Sequence, residues 1–117
     1  GDIETQKQVA VSAKQIADGK LQVTVQSGAD LSSLEYLRIE VTKSTDTTPE
    51  TYYAYVDHDD NKPKVIGGTA NLPEAKGEIT VGSTYTTTQI LTDGSDHVVI
   101  VGHFADGKQQ MLLETTL

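Results

Sequence analysis

Apolar and polar residues alternate with a period of two along most of this chain, which sends alternate side chains to opposite faces of a strand. In segment 21–26, for example, Leu21, Val23 and Val25 alternate with polar residues. The alternation gives little support for helices. It predicts strands over approximately residues 8–16, 21–26, 36–43, 51–57, 64–68, 78–81, 84–91, 97–104 and 109–116.

The tetrapeptide Ala-Asp-Gly-Lys occurs twice, at residues 17–20 and 105–108, each time between two predicted strands. Asp-Gly in this position predicts a hairpin, because both central residues of a type I′ turn need a positive φ, which Gly adopts freely and Asp tolerates. We therefore predict a hairpin at each end of the sequence, with the same turn chemistry in both. A repeat of this kind does not indicate an internal duplication.

About seven to eight short strands with turn signals between them predict an all-β fold, an immunoglobulin-like antiparallel β-sandwich. A small closed barrel is the alternative. The run 98–101 is apolar on both faces and predicts a strand in the centre of a sheet. A chain of 117 residues suits one core and is too short for two, so residues 1–117 are expected to form a single domain.

The charge balance limits the classes of partner. The chain has 17 acidic and 9 basic side chains, which gives a formal net charge of -8. Arg38 is its only arginine. Phosphate binding needs a clustered positive surface, so we predict neither a nucleic acid partner nor direct binding to an anionic membrane. No stretch approaches the roughly 20 consecutive apolar residues that cross a bilayer.

The densest polar cluster is the Asp-His-Asp-Asp-Asn segment at residues 57–61. Asp57, Asp59 and Asn61 match the first three ligand positions of an EF-hand calcium loop. The match ends there, because Lys62 stands where the loop needs Gly and Gly68 where it needs a bidentate Glu. We predict a solvated turn, with a weak calcium site as the alternative, and we expect no cofactor.

Neither the histidines nor the hydroxyl residues predict catalysis. His97 and His103 would share one face of a strand about 20 Å apart, too far for one tetrahedral zinc site. We expect these two, and His58, to be half-exposed residues. The chain has no Cys and no Gly-x-Ser-x-Gly elbow. We therefore predict no catalytic residues and no enzyme activity.

The strand predicted at residues 51–57 contains three tyrosines. Tyr53 and Tyr55 share one face of it, and Tyr52 lies on the other. Tyrosines on a sheet face can stack on sugar rings or anchor a protein partner, so Tyr53 and Tyr55 are a possible ligand platform. The competing interpretation assigns at least one of these faces to the core. Tyr85 adds a further candidate ring.

Several segments together resemble the soluble part of archaeal type IV pilin-like proteins, including archaellins. Members carry a Gly-x-Asp-x-x-x-Leu stretch after the first hairpin, which Gly28 to Leu34 matches, and a similar closing hairpin. The segments that carry the resemblance are 11–24, 26–34, 81–85 and 96–113. The resemblance spans nearly the whole chain.

The resemblance implies a non-catalytic structural subunit of a cell-surface filament, with this domain facing outwards. An apolar helix that we expect to precede Asp2 would assemble the filament core, so the implied partners are other filament subunits. Membrane contact would occur only through that helix, and the implied location is extracellular. The alternative is an extracellular binding module that recognises carbohydrate or a surface protein through Tyr53 and Tyr55 or the turn at 57–61.

Overall fold

The computed structural model describes residues 6–56, 63–66 and 80–117, with side chains except at 55–56 and 63–66. No helix within these ranges is long and apolar enough to cross a membrane. The structure there consists of short strands and two 3₁₀ turns, Ala17–Gly19 and Leu31–Ser33. The strands are β1 (Ala10–Ile16), β2 (Lys20–Ser27), β3 (Leu34–Thr42), β4 (Glu50–Val56), β5 (Pro63–Ile66), β6 (Thr84–Gln89), β7 (His97–Phe104) and β8 (Gln109–Thr116).

The strands form two antiparallel sheets, a three-stranded sheet in the order β1-β2-β6 and a five-stranded sheet in the order β5-β4-β3-β7-β8. This confirms the predicted all-β sandwich. The distribution of β1, β2 and β6 on one sheet and β3, β4, β5, β7 and β8 on the other is immunoglobulin-like. β7 lies between β3 and β8, as its apolar run predicted.

The core lies between the two sheets and follows directly from the alternation. Leu21, Val23 and Val25 of β2 are fully buried, and the polar residues between them face outwards. Burial of each such side chain contributes about 1.5–3 kcal/mol. The other members of the core cluster are Val11, Leu34, Leu37, Ile39, Val41, Ala54, Tyr85, Ile90, Leu91, Val98, Ile100 and Phe104.

The prediction of a strand over 78–81 is wrong for residues 80 and 81, the two that the structure describes. Thr80 to Ser83 form a turn in which the Ser83 N–H donates to the Thr80 carbonyl oxygen at 3.1 Å, and Gly82 has a φ of 94°. Residues 78 and 79 lie outside the described ranges. The Gly82 N–H and the Ser83 carbonyl oxygen still bond to Val25 of β2, but the positive φ at Gly82 interrupts the extended backbone that a strand needs.

The two Ala-Asp-Gly-Lys turns connect β1 to β2 and β7 to β8 as predicted, but their conformations differ. In the first turn both Asp18 and Gly19 have positive φ, 65° and 70°. In the second, Gly107 has a φ of 87° and Asp106 does not adopt a positive φ. The Asp106 carboxylate instead accepts the Lys108 N–H at 2.9 Å. The expectation of the same turn chemistry twice is therefore wrong.

A buried carboxylate joins the β3–β4 and β6–β7 connections at the end of the sandwich that also holds the first turn; we call this the Asp96 end. Asp96 is fully buried and accepts the Ser44 N–H at 3.0 Å, the Thr92 N–H at 2.7 Å and the Thr92 hydroxyl at 2.6 Å. Its backbone exchanges two 2.8 Å hydrogen bonds with Leu117. Burial alone would raise the pKa of Asp96, but these hydrogen bonds and Lys43 lower it below 3.8.

Candidate functional site

The first candidate site is the outer surface of the five-stranded sheet around Tyr36, Tyr53 and His103, here called the tyrosine face. Tyr36 stacks on His103 with ring centroids 4.3 Å apart and an interplanar angle of 16°. Tyr53 meets Tyr36 edge-on, at 5.9 Å and 66°. Such aromatic pairs contribute about 0.5–1.5 kcal/mol each beyond the area they bury. Three strands thus bring three rings into one row.

Strand register explains this row. In β3, Leu37 and Ile39 point into the core, so Tyr36 and Arg38 point outwards. Tyr36 pairs with His103 of β7 on one side, and Arg38 pairs with Tyr53 of β4 on the other. Directly opposed residues such as Tyr36 and His103 have Cβ atoms about 5 Å apart, and diagonal neighbours such as Tyr36 and Tyr53 are still within reach of aromatic rings.

His103 is more buried than the sequence indicated. Only 9% of the residue is exposed, because the Tyr36 ring covers the imidazole, and Nε2 has no hydrogen-bond partner. Burial, then the Arg38 charge, lower the pKa of His103, while Glu35 opposes them. The ring is therefore neutral at pH 7. The prediction of a half-exposed histidine is wrong here, whereas His97 is exposed and contacts Glu114 at 3.1 Å.

The structure places the predicted platform residues as follows. Tyr53 and Tyr55 pair with Arg38 and Tyr36, alternate residues of β3, so they belong to one face as predicted, although the Tyr55 side chain is not described. Tyr52 packs against the core from the other face. Tyr85, the further candidate ring, is a core residue only 1% exposed. Ligand binding by the platform stays a prediction.

Sequence reasoning did not assign Tyr36, Arg38 and His103 to this surface. The alternation of β3 placed Tyr36 and Arg38 on a wet face, which is a usable signal. No local signal could have placed His103 beside them, because its partner in the β3–β7 pairing, Tyr36, lies more than sixty positions earlier in the chain.

The weak calcium candidate, Asp57, Asp59 and Asn61, lies outside the described residues, as does His58. In the part of the chain that is described, no group of three His, Cys, Asp or Glu side chains could hold a metal ion. The calcium site therefore stays a prediction.

The second candidate site holds the start of the described chain; we call its residues, Asp30, Phe104, Asp106 and Gln110, the N-terminal dock. The side-chain amide of Gln110 forms two hydrogen bonds with the backbone of Lys7. The Lys7 N–H donates to Gln110 Oε1 at 2.9 Å, and Gln110 Nε2 donates to the Lys7 carbonyl oxygen at 2.9 Å. Gln110 thus pairs with the chain as a neighbouring strand would.

The next residue is fixed in the same way by the loop after β2. The Gln8 N–H donates to Asp30 Oδ2 at 2.6 Å, and the Asp30 N–H donates to the Gln8 carbonyl oxygen at 3.1 Å. Gly28 makes this approach possible, because a Cβ at that position would stand 2.4 Å from the Gln8 oxygen. This is the structural reason for Gly in the Gly-x-Asp stretch.

The Lys7 side chain completes the dock. Its Nζ lies 2.9 Å from an Asp106 carboxylate oxygen and 5.5 Å from the centroid of the Phe104 ring. The hydrogen bond from Lys7, followed by that from the Lys108 N–H, lowers the pKa of Asp106. The Ala105 N–H donates to the Ser33 carbonyl oxygen at 2.8 Å, which ties the two loops of the dock together.

Comparison of the chain with family models, with curated proteins and with solved structures gives no match.

Proposed function

We propose that this domain is the outward-facing, non-catalytic head of a subunit of an archaeal cell-surface filament of the type IV pilus kind. The observation that supports the proposal best is the N-terminal dock. Two of the segments that resemble pilin-like proteins, 26–34 and 96–113, supply its residues. Asp30 comes from the first segment, and Phe104, Asp106 and Gln110 come from the second.

A head domain of this kind needs a fixed connection to the helix that precedes it, because the helix sets its position in the filament. In the dock, the N–H and carbonyl groups of both Lys7 and Gln8 are bonded to the domain rather than to water. A flexible tether leaves its backbone groups to solvent. The bonded segment instead fixes the backbone of Lys7 and Gln8 in one direction relative to the sandwich.

The proposal places the domain outside the cell, with other copies of the subunit as its partners through an apolar helix before Asp2. An acidic surface fits a domain that faces water, because a net charge far from zero favours solubility. The formal charge of -8 meets that condition.

The first experiment is to read the coding sequence upstream of Asp2. We expect about twenty apolar residues after a short basic leader, enough to form a helix in the filament core. A further globular domain, or a plain cleavable signal sequence joined directly to Asp2, would contradict the proposal.

The second experiment uses the full-length subunit expressed in cells. An antibody against this domain should decorate surface filaments along their length in electron micrographs. The double variant Asp30→Ala, Gln110→Ala should leave filaments with poorly ordered heads, because the dock no longer holds the Lys7–Gln8 backbone. The matched control is Gln109→Ala, an exposed residue beside Gln110. Heads that are equally well ordered in both variants would show that the dock does not fix the orientation of the head domain.

A second candidate function, an extracellular binding module, is favoured by the tyrosine face. Aromatic rings beside Arg38 and Glu40 offer both stacking surfaces and hydrogen-bonding groups to a carbohydrate or a protein. A glycan array probed with the wild-type chain and with the double variant Tyr53→Ala, Tyr55→Ala tests this function. Binding that is lost in the variant would support it, and silence of the wild type would count against carbohydrate.

A further inference from the structure

The outer surface of the three-stranded sheet differs from the rest of this acidic chain, and we call it the hydroxyl face. Register sets its side chains in cross-strand rows, Ser12 beside Thr24 beside Thr84, and Lys14 beside Gln22 beside Thr86. The exposed or half-exposed residues of this face include Ser12, Lys14, Ile16, Lys20, Gln22, Thr24, Gln26, Thr84, Thr86 and Gln89.

The hydroxyl face carries a net positive charge. Lys14 and Lys20 project from it, and none of its described residues is a carboxylate. Since the whole chain has a formal charge of -8, everything outside these two lysines carries -10 (-8 minus +2). The hydroxyl face is thus a positive surface on a negative domain.

The tyrosine face, on the opposite side of the sandwich, has the composition of a protein-binding surface. Tyrosine, methionine and arginine are enriched at the centres of protein interfaces. Beside the aromatic rings this face carries Arg38 and Met111, and Met111 is 56% exposed. Val101, next to Met111, is only 8% exposed although it lies outside the core cluster.

One row of the tyrosine face carries charges opposite to those of the hydroxyl face. Glu40 and Glu114 stand on it, at register positions that pair with Val99 on either side. Glu40 Oε1 lies 3.6 Å from Arg38 Nε, and half-exposed Glu114 contacts His97. Glu40 and Glu114 make the row through Val99 acidic, whereas Arg38 and, by its pairing with Tyr55, Lys64 lie in the other rows of the tyrosine face.

We infer that the tyrosine face binds the hydroxyl face of a second copy of this chain, so that the domains stack front to back. Lys14 and Lys20 of one copy would face the Glu40 and Glu114 region of the next. Stacking of two tyrosine faces on each other is disfavoured, because it would place carboxylates against carboxylates.

Contact between two different surfaces of the same chain leaves one of each free, so it extends into rows or rings. This front-to-back contact deepens the proposed filament function. It rests on that function only for the close spacing of neighbouring copies. The contact belongs to the domain itself, however, and it can be measured without filaments.

The test reverses the charges of each face in turn. Self-association of the 117-residue chain is measured at low salt, at protein concentrations up to millimolar, by sedimentation velocity and by NMR chemical-shift titration. One variant is Lys14→Glu, Lys20→Glu, and the other is Glu40→Lys, Glu114→Lys. We expect the wild type to associate weakly, with chemical-shift changes on both faces. Each variant alone should associate at least about tenfold less tightly, because like charges then meet. An equimolar mixture should regain association, since opposite charges meet again.

The matched control is Lys43→Glu, Lys108→Glu, which changes the net charge equally but leaves both faces intact. Urea unfolding of every variant establishes that it is folded. A wild type that stays monomeric at millimolar concentration would overturn the inference, and so would a mixture that fails to regain association. Glycan binding at Tyr53 without self-association would also overturn it. An upstream sequence without an apolar helix would remove the proposed function alone and leave this result standing.

Discussion

The two Ala-Asp-Gly-Lys turns have the same four residues and occupy equivalent places in two hairpins, yet they are built differently. The first is joined to the rest of the sandwich, because the Gly19 carbonyl oxygen accepts the N–H groups of Ile90 and Leu91 at 3.1 and 2.9 Å. The second is open at its glycine, because a Cβ added to Gly107 would meet nothing within 4 Å.

The difference shows that these four residues determine where a hairpin turns, but not which backbone conformation the turn adopts or which contacts it makes. In the first turn, two positive φ angles aim the Gly19 carbonyl at the chain that follows β6. In the second, the Asp106 side chain is available to bind Lys7 in the N-terminal dock. The first turn therefore belongs to the end of the sandwich that buries Asp96, and the second belongs to the end that holds Lys7.

The largest effect is expected at Asp96, at the end that contains the first turn. Asp96→Ala would leave the Ser44 N–H, the Thr92 N–H and the Thr92 hydroxyl without their buried acceptor. Loss of such a charged, fully bonded group costs about 4 kcal/mol of unfolding free energy. Urea unfolding measures it, with Asp93→Ala, an exposed neighbour, as the control. Equal stability of the two variants would show that this end is not the stabilising one.

Substitution of Ala for the glycine of each turn tests the comparison directly. Gly19→Ala introduces a positive-φ side chain whose Cβ would stand 2.6 Å from the Leu91 carbonyl oxygen. Strain and contact together should cost about 3 kcal/mol. Gly107→Ala carries only the φ penalty, about 1 kcal/mol.

Urea unfolding of both variants under one set of conditions provides the measurement. Each variant is the control for the other, because residue type, turn sequence and sign of φ are the same. A Gly107→Ala variant that is destabilised as much as Gly19→Ala would mean that contacts of the first turn with residues 90–91 contribute nothing.

The alternation of apolar and polar residues predicts the positions of the strands better than the conformations of the turns. Alternation located all the strands that the structure describes and the inward faces of β2 and β3, because burial of one face imposes a period of two. It failed at Thr80–Ser83, where a local turn competes with β-branched residues that favour strands. Alternation carries no signal for the burial of Asp96, since a buried Asp and an exposed Asp look alike without knowledge of their donors.

The residues of the candidate surfaces likewise divide into those that the pattern of one strand predicts and those that only the strand order brings together. Tyr53 and Tyr55 were placed on one face from the pattern of a single strand. The contacts of Tyr36 with His103 and of Lys7 with Asp106 join distant segments. Such contacts depend on strand order, which local periodicity does not determine.

The pH dependence of stability should separate the two ends further. The pKa of Asp96 is lowered in the folded state, so its stabilisation is fully present above the ordinary value of 3.8 and is lost as the pH falls through the folded-state pKa. Urea unfolding below pH 4 should therefore show a loss of stability that is much smaller in Asp96→Asn, which cannot titrate. An unchanged acid slope in that variant would contradict the assignment.

The smallest effect on global stability is expected in the dock. Lys7→Ala removes an ion pair with Asp106, which is exposed and therefore screened by solvent, so the urea midpoint should hardly change. The backbone of Lys7 and Gln8 should nevertheless exchange its amide hydrogens faster, because the side chain no longer holds this segment over Phe104. Lys14→Ala, an exposed lysine outside the dock, is the control. A lowered urea midpoint with unchanged exchange at residues 7–8 would reverse the roles assigned to the two ends.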